Sequence, residues 1–432
     1  MSFRRLFYTL LLYLVFPLVI FRLLWRSISN PAYRQRIHER LGLVKPDNDK
    51  PVIWVHAVSV GETIAAKPLI EALIKTYPTY RILVTTTTPT GSERVKSLFS
   101  NRVAHVYFPY DLPEIIYRFL KRMKPQILIV VETEIWPNLY AACHKRSIPI
   151  VIVNARLSNK STQSYIKIKT LVAETLSYVR TIAVRSNDDA ERFKQLGASE
   201  DIIQISGNIK FDIEPDQEQI KQGKERRKQW GANRPVWVAA STHEGEDEKL
   251  VQIYNKVLKV YPDLLLILIP RHPERFDKVY ELCLGYQFSG IEKEFNTKRH
   301  TQIKNYQNTT ANIIIGDSMG EMQSWFATAD VVFIGGSLVK TGGHNPLEAI
   351  AQGVPVVSGQ YMFNFEDIAT ELNHSGLLFI CQNEKEVETK IYKLLTLSQE
   401  PSYAEFRQKA HAIMQQQHGV TARLMKIILA CL

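Results

Sequence analysis

Cysteine is scarce in this chain, with four in 432 residues. Cys143, Cys283, Cys381 and Cys431 lie far apart, with no C-x-x-C pair and no Cys/His spacing of a zinc site. That argues against a disulfide scaffold and a cysteine-built metal centre, and fits free thiols in a reducing compartment. Internal repeats and low-complexity tracts are absent, which argues against a solenoid. Excess charge is also scarce once it is located. Of the net charge of +11, residues 1–45 supply +7, with eight Lys/Arg against the single acid Glu39. The other residues carry 46 bases and 42 acids. The basic excess is a property of the N-terminus, so it points to an anionic membrane surface and not to a nucleic-acid groove.

Long hydrophobic runs are limited to one. Phe7 to Phe21 is uncharged and rich in Leu, Tyr, Phe and Val; Arg22 interrupts it and Leu23, Leu24 and Trp25 continue it. A bilayer span needs roughly 20 apolar residues, so the segment is marginal, and Pro17 is expected to kink it. No small-residue cleavage site follows, Ile28-Ser29-Asn30-Pro31-Ala32 being a poor match. More positive charges follow the run than precede it, which leaves the globular part in the cytoplasm. The reading is a retained signal anchor or monotopic anchor, standing apart from the fold over residues 1–27. Arg34, Arg36 and Arg40 are the candidates to meet the lipid surface and an acceptor there.

What is present is a two-domain globular chain, 45% hydrophobic and 22% charged. Apolar runs alternate with helical periodicity. The first series of strands is Val52–Val55, Ile82–Thr86, Val103–Phe108, Ile127–Val131, Ile150–Val153, Ile182–Val184 and Ile202–Ile205. The second is Val236–Ala240, Leu264–Ile269, Ile313–Ile315, Val331–Ile334, Val354–Val357 and Leu377–Ile380. Near-continuous apolar strands between helices imply parallel sheets covered on both faces. The expected division is an anchor and basic segment at 1–45, a first Rossmann-like domain at 46–212 and a linker at 213–235. A second such domain follows at 236–400, and helices at 401–432 are expected to pack back on the first. Two doubly wound domains facing one cleft is the expected α/β architecture.

The most informative segment is His56-Ala57-Val58-Ser59-Val60-Gly61-Glu62. A buried strand, a small-residue turn and an amphipathic run place the Glu62 carboxylate at the mouth of the first βα loop. Ligands of open α/β sheets bind outside the carboxyl ends of the strands. Ser59-x-x-Glu62 is equally a capping box, which satisfies orphan helix N–H groups without chemistry. Glu132 and Glu134 follow the strand Ile127–Val131; two carboxylates past a buried strand need solvent or partners. Thr85 to Thr90 offer hydroxyls beside them.

In the second half, Gly335-Gly336-Ser337 follows a strand, and Gly342-Gly343-His344-Asn345 precedes Pro346-Leu347-Glu348. Glycines let backbone N–H groups approach an anion, and a helix start favours a phosphate. Glu348 is placed to accept hydrogen bonds from ribose hydroxyls; the plainer alternative is a Gly-rich turn whose charge suits the helix dipole. Arg271 and His272 sit in Pro270-Arg271-His272-Pro273-Glu274-Arg275, where an arginine can bind a phosphate bidentately. Ala240 to Gly245 and Lys210, in Asn208-Ile209-Lys210-Phe211-Asp212, are further candidates for an anion. Asp47-Asn48-Asp49 formally matches a metal-binding D-x-D, but it precedes the first strand, on the wrong side of a sheet for a cleft.

These motifs together resemble the 3-deoxy-D-manno-octulosonic acid (Kdo) transferases of lipopolysaccharide synthesis. The resemblance spans nearly the whole chain, through His56–Glu62, Thr85–Arg94, Glu132–Leu139, Asn154–Ser158, Gly207–Asp212, Arg271–Arg275, Gly316–Glu321 and Gly335–Glu348. It implies a GT-B fold and inverting transfer of Kdo from CMP-Kdo to the lipid A precursor (lipid IVA). The enzyme would work at the inner membrane with no metal or other cofactor. It implies that Glu62 is the general base, with Glu132 or Glu134 as a second site carboxylate and Glu132 favoured. Donor contacts are implied from Arg271, Ser337, Gly342, Gly343, Asn345 and Glu348. Other readings are a GT-B transferase using a UDP-sugar, a UDP-sugar 2-epimerase, and a nonenzymatic anchored nucleotide binder. The apolar N-terminus speaks against the epimerase and the glutamate pair against the binder. One chemical tension remains: a helix N-terminus lowers a carboxylate's pKa and weakens it as a base, while burial opposes this.

Overall fold

The computed structural model describes residues 2–46, 50–213, 215–231, 233–286, 295–303, 306–307 and 309–432. The D-x-D at Asp47-Asn48-Asp49 lies outside the described residues. The chain forms two compact units, Met1–Asp212 with Gly419–Leu432, and Ile213–His418. Each holds one seven-stranded sheet.

In the first unit the strands are β1 (Val52–His56), β2 (Arg81–Thr86), β3 (Ala104–Tyr107), β4 (Pro125–Val131), β5 (Ile150–Ala155), β6 (Thr181–Val184) and β7 (Ile203–Ile205). They pair in parallel in the order β3-β2-β1-β4-β5-β6-β7. Alternation along β1 sends Trp54 into one core layer and Ile53 and Val55 into the other, so helices must cover both faces. The chain builds outward from β1 to β3 and then returns to place β4 on the other side of β1. That reversal makes the carboxyl ends of β1 and β4 the switch point, where loops part and leave room for a ligand.

The second unit repeats the plan with β8 (Val236–Thr242), β9 (Leu265–Pro270), β10 (Thr297–Arg299), β11 (Ile313–Ile315), β12 (Val331–Ile334), β13 (Val356–Ser358) and β14 (Leu378–Ile380). Its parallel order is β10-β11-β9-β8-β12-β13-β14, so its switch point lies between β8 and β12. The expected α/β plan of two doubly wound sheets is therefore the observed one. Strand β10 is additional; its sequence, Thr-Lys-Arg, carries no apolar run to announce it.

Two of the expected divisions differ. Residues 213–235 are no open linker: Gln217–Trp230 is a helix of the second unit. Arg227 pairs with Asp330 at 2.9 Å and Arg226 donates to the Ser324 hydroxyl at 2.8 Å. The terminal run 401–432 does not go back to the first unit as one piece. Ser402–Gln417 stays with the second unit, where the Tyr403 hydroxyl donates to the Asp330 carbonyl at 2.9 Å. The break falls at Gly419, whose φ of +79° is left-handed. Helix Val420–Leu429 then buries Val420, Leu424 and Ile428 in the first unit's core. Asp212 caps it, accepting from Gly419 N at 2.8 Å and Thr421 N at 2.7 Å.

The N-terminal apolar run is one helix, Phe3–Ser29, continuous through Pro17 and long and apolar enough to cross a membrane. It does not stand apart from the fold. Thr9 donates to Asn138 Oδ1 and Tyr8 to Asp111 Oδ2, each at 3.0 Å, and Phe16 stacks edge-on against Tyr110. The opposite face is an exposed stripe that includes Phe3, Phe7, Leu10, Leu14, Leu18, Phe21, Trp25 and Ile28, at helical spacing. The basic trio also divides. Arg34 is exposed, but Arg40 is buried over the Tyr107 ring and donates to the Thr87 carbonyl at 2.8 Å. Arg36 pairs with Glu39 at 2.7 Å and donates to the His105 carbonyl at 2.7 Å. Arg36 and Arg40 therefore brace the first unit internally, and Arg40 has no surface to offer a lipid.

Candidate functional sites at the two switch points

At the carboxyl end of β1 the chain turns through Ser59 into the short helix Val60–Ala65. The capping box forms. Ser59 Oγ accepts from Glu62 N at 3.2 Å and donates to Glu62 Oε1 at 2.9 Å. Glu62 Oε2 accepts from Val58 N at 2.6 Å. Such bonds stabilise the charged carboxylate. Burial and the neighbouring Glu132 carboxylate outweigh them, and the Glu62 pKa is pushed up to about 7. The tension between helix terminus and burial thus resolves toward burial. Capping and chemistry do not exclude each other here, because a carboxylate oxygen has more than one acceptor site.

Glu132 follows β4 with φ +62°, a left-handed conformation that costs a non-glycine residue of order 1–3 kcal/mol. Its carboxylate is paired with Arg156 Nε at 3.0 Å. Glu134 is pushed up to about 7, first by burial and then by the Glu62 and Glu132 charges. The structure therefore brings Glu62, Glu132, Glu134 and Arg156 into one electrostatic cluster at the first switch point. Nearby hydroxyls are committed elsewhere. Thr85 Oγ1 is bonded to Trp54 Nε1 and His56 Nδ1, both at 2.9 Å, and Thr87 donates to the Val58 carbonyl at 3.1 Å. Thr88 caps the helix Pro89–Phe99. His56 is fully buried, stacks on Phe108, and is pushed down to about 3 by burial. Lys210 lies in the short helical turn Ile209–Phe211, half-buried.

The second switch point is built around a residue the sequence reading passed over. Glu246 is fully buried. Its Oε2 accepts from Gly336 N at 2.6 Å and His243 N at 2.9 Å, and its Oε1 from Leu338 N at 2.8 Å and Ser337 N at 3.0 Å. The glycine loop after β12 is thus an anion cradle already filled by the chain's own carboxylate, and these four N–H groups are not offered to a phosphate. Gly335 is required for another reason: a Cβ there would lie 2.4 Å from the Ser241 carbonyl oxygen. Ser337 is likewise internal, donating to the Ile334 carbonyl at 2.5 Å and accepting from Gly359 N at 2.8 Å. A donor contact from its side chain is not what this geometry provides. The only sequence signal for Glu246 was its place four residues past β8.

The second glycine pair is different. Gly342 and Gly343 have φ of +104° and +74°, and Asn345 Oδ1 accepts from Leu347 N at 3.1 Å as the helix Leu347–Ala351 begins. Glu348 is shielded, its pKa raised by burial, and receives a 3.4 Å bond from Asn345. Arg271 is half-buried after β9 and His272 beside it is exposed. Arg275 is spent on Asp247 and on the Thr242 carbonyl, the latter at 2.8 Å. His243 and His344 face each other, Nε2 to Nε2, at 2.8 Å.

Residues 35–213 match the family described as 3-deoxy-D-manno-octulosonic-acid transferase (kdotransferase), and residues 233–412 match glycosyl transferases group 1. A 3-deoxy-D-manno-octulosonic acid transferase of Haemophilus influenzae is 40% identical, covering 98% of both chains. A protein of the same name from Bordetella pertussis is 34% identical over 75% of this chain and 74% of its own. The UDP-GlcNAc 2-epimerase of Neisseria meningitidis superposes with a TM-score of 0.52 over 88% of this chain and all (100%) of its own, at 14% identity. That last likeness is one of fold alone. The family match, the near-full-length relative and the paired switch points agree: the chain belongs to the Kdo transferase family of glycosyltransferases.

Proposed function

We propose that this enzyme moves Kdo from CMP-Kdo to the lipid A precursor, with inversion at the anomeric carbon and without a metal. Glu62 is the general base that takes the proton from the acceptor hydroxyl. The observation that carries this is the Glu62 carboxyl, held near 7 at the mouth of β1. A base works best with a pKa close to the working pH. Glu132, oriented by Arg156, keeps negative charge beside Glu62 and so raises its basicity. The carboxylate Glu134 is the second proton-holding group of the cluster.

The second unit holds the donor. Arg271, His272, the Gly342–Gly343 turn and the Asn345–Glu348 helix start carry the phosphate and ribose contacts. The leaving CMP develops charge that these cations and N–H dipoles stabilise. The enzyme works at the cytoplasmic face of the inner membrane. The exposed apolar stripe of Phe3–Ser29, with Arg4, Arg22, Arg26 and Arg34 exposed, suits an anionic lipid surface. The GT-B fold with a UDP-sugar donor remains the second reading, since the 2-epimerase shares the fold.

Incubating the full chain with tetraacylated lipid A precursor and either CMP-Kdo or UDP-sugars tests this. The expected result is Kdo transfer from CMP-Kdo, unchanged by EDTA. Turnover of a UDP-sugar without acceptor, with CMP-Kdo inert, overturns the reading. Activity lost in EDTA and restored by Mg²⁺ overturns the metal-free chemistry.

A further inference from the structure

The second switch point carries a pair of imidazoles that neither capping nor core packing uses. His243 follows β8 and His344 precedes the helix Leu347–Ala351. Their rings are nearly parallel, with centroids 5.1 Å apart and planes 8° from parallel, and they meet edge to edge through their Nε2 atoms at 2.8 Å. Both are half-buried. Gly336 lies beneath them, since a Cβ there would meet His344 Cδ2 at 3.3 Å and His243 Cδ2 at 3.4 Å. Glu246 fixes the floor by binding both Gly336 N and His243 N.

This geometry dictates the protons. A hydrogen bond between two Nε2 atoms needs a hydrogen on one and a lone pair on the other. The ring that donates through Nε2 therefore has a bare Nδ1 while it is neutral. The accepting ring carries its hydrogen on Nδ1. One more proton can enter without breaking the pair, and it goes to the bare Nδ1.

The surroundings decide when it enters. His243 lies in the field of His272, Arg271 and Arg275, with Asp247 the one opposing charge. Asp247 is already tied to Arg275. His344 lies in the field of His243, Arg271 and His272. On the adjoining elements, Glu246 is saturated by four N–H groups, Glu244 is paired with Lys278, Glu348 is bonded to Asn345, and Lys340 is exposed. The unliganded pair is therefore neutral; burial, helped by these cations, drives His344 down to about 4 and lowers His243 as well. Glu274, in the same turn as Arg271, is exposed. A pocket whose field is dominated by Arg271, His272 and Arg275 is complementary to an anion, and an arriving phosphate reverses the sign of that field.

We propose that the His243–His344 pair recognises the nucleotide phosphate by taking up one proton as the phosphate docks. The proton comes from solvent, no bond to carbon or phosphorus changes, and the pair becomes a singly charged, hydrogen-bonded cation beside Arg271. This rests on the reading that the second unit binds the donor nucleotide. It makes His243 and His344 recognition residues for the phosphate, and it makes the affinity rise as pH falls.

Calorimetric titration of the full chain with CMP tests it, at pH 6 and pH 8, in pairs of buffers that differ in ionisation enthalpy. Cytidine, which lacks the phosphate, is the control. The wild type should take up protons with CMP and none with cytidine, and its CMP affinity should fall about three- to tenfold from pH 6 to pH 8 beyond the share due to the phosphate's own titration. His344→Gln keeps a side chain able to hydrogen bond but not to ionise. It should bind CMP about as wild type does at pH 8, bind about three- to tenfold more weakly than wild type at pH 6, and lose that extra proton uptake. His243→Gln gives the same readout, and the ¹⁵N shifts of the wild-type imidazoles with and without CMP read the Nδ1 proton directly. Equal proton uptake in wild type and variants, or imidazole shifts that stay neutral with CMP bound at pH 6, overturns the proposal while the donor reading stands. No binding of CMP to the wild type at either pH overturns both.

Discussion

The two switch points handle burial in opposite chemical directions. In the first unit burial lifts Glu62 and Glu134 to about 7, so acids hold their protons into the neutral range. In the second, burial lowers His243 and takes His344 to about 4, so bases shed theirs. The cause is common: a low-dielectric site disfavours whichever form is charged. The neighbours are not. Carboxylates crowd the first site and cations the second, and each crowd deepens the shift that burial began. On the proposed reading, the first unit's acids take a proton from a hydroxyl and the second unit's cations take an anion. A sugar transfer from a nucleotide needs both.

The sharpest way to break this comparison is Glu62→Gln, which removes the proton acceptor and leaves the second unit untouched. Transfer should fall at least 100-fold, since general base catalysis is typically worth 10²–10⁴-fold. CMP affinity should stay at the wild-type value. A variant retaining more than about a tenth of the rate would sink the base assignment. Next in size is Arg271→Ala, its mirror image. Loss of a charge-assisted bond should weaken CMP binding by roughly 1.5–3 kcal/mol, or about ten- to 150-fold by calorimetry. Unchanged CMP affinity would remove Arg271 from the donor site.

The sign of the first cluster can be read from stability. A carboxyl raised in the fold favours the folded state at low pH, and that advantage is lost as pH climbs from its unfolded value through about 7. Glu134→Gln should therefore melt higher than wild type at pH 8 and level with it at pH 4. The expected gap is a few degrees, at roughly 2–4 °C per kcal/mol for a unit of this size. A variant that melts lower at pH 8 would mean that the charged form is the one the fold supports. The smallest effect belongs to Ser59→Ala. It removes the cap and should cost about 1 kcal/mol of stability while leaving most of the rate. A rate collapse as deep as that of Glu62→Gln would show that the capping bond itself holds the base in place.

Much of this was legible in the chain because it is local. Runs such as Ile127–Val131 and Leu264–Ile269 announce buried parallel strands by composition alone, and the turns after them name the site loops. Glu62 was legible for the same reason, as the first acid past a strand. What the sequence hid depends on partners far along the chain. Glu246 is defined by N–H groups some 90 residues away, and nothing local says that it fills the glycine loop. Arg36 and Arg40 read as surface charge until His105 and Tyr107 are brought beside them. The docking of the N-terminal helix rests on Tyr8 and Thr9, two polar residues inside an apolar run, which find Asp111 and Asn138 only in the fold. The left-handed turn at Glu132 has no sequence signal, because glutamate is a poor choice for it and the surrounding structure imposes it.

The bond pair between Asp212 and the backbone of Gly419 and Thr421 has an evolutionary consequence. It pins together the two points where the chain leaves the first unit and re-enters it. Everything between Ile213 and His418 is then, topologically, an insertion into a host whose cut ends stay adjacent. Such a cassette can be exchanged without re-threading its host. A lineage could change the nucleotide sugar it consumes by replacing that cassette, while the acid cluster and the N-terminal apolar helix stay as they are.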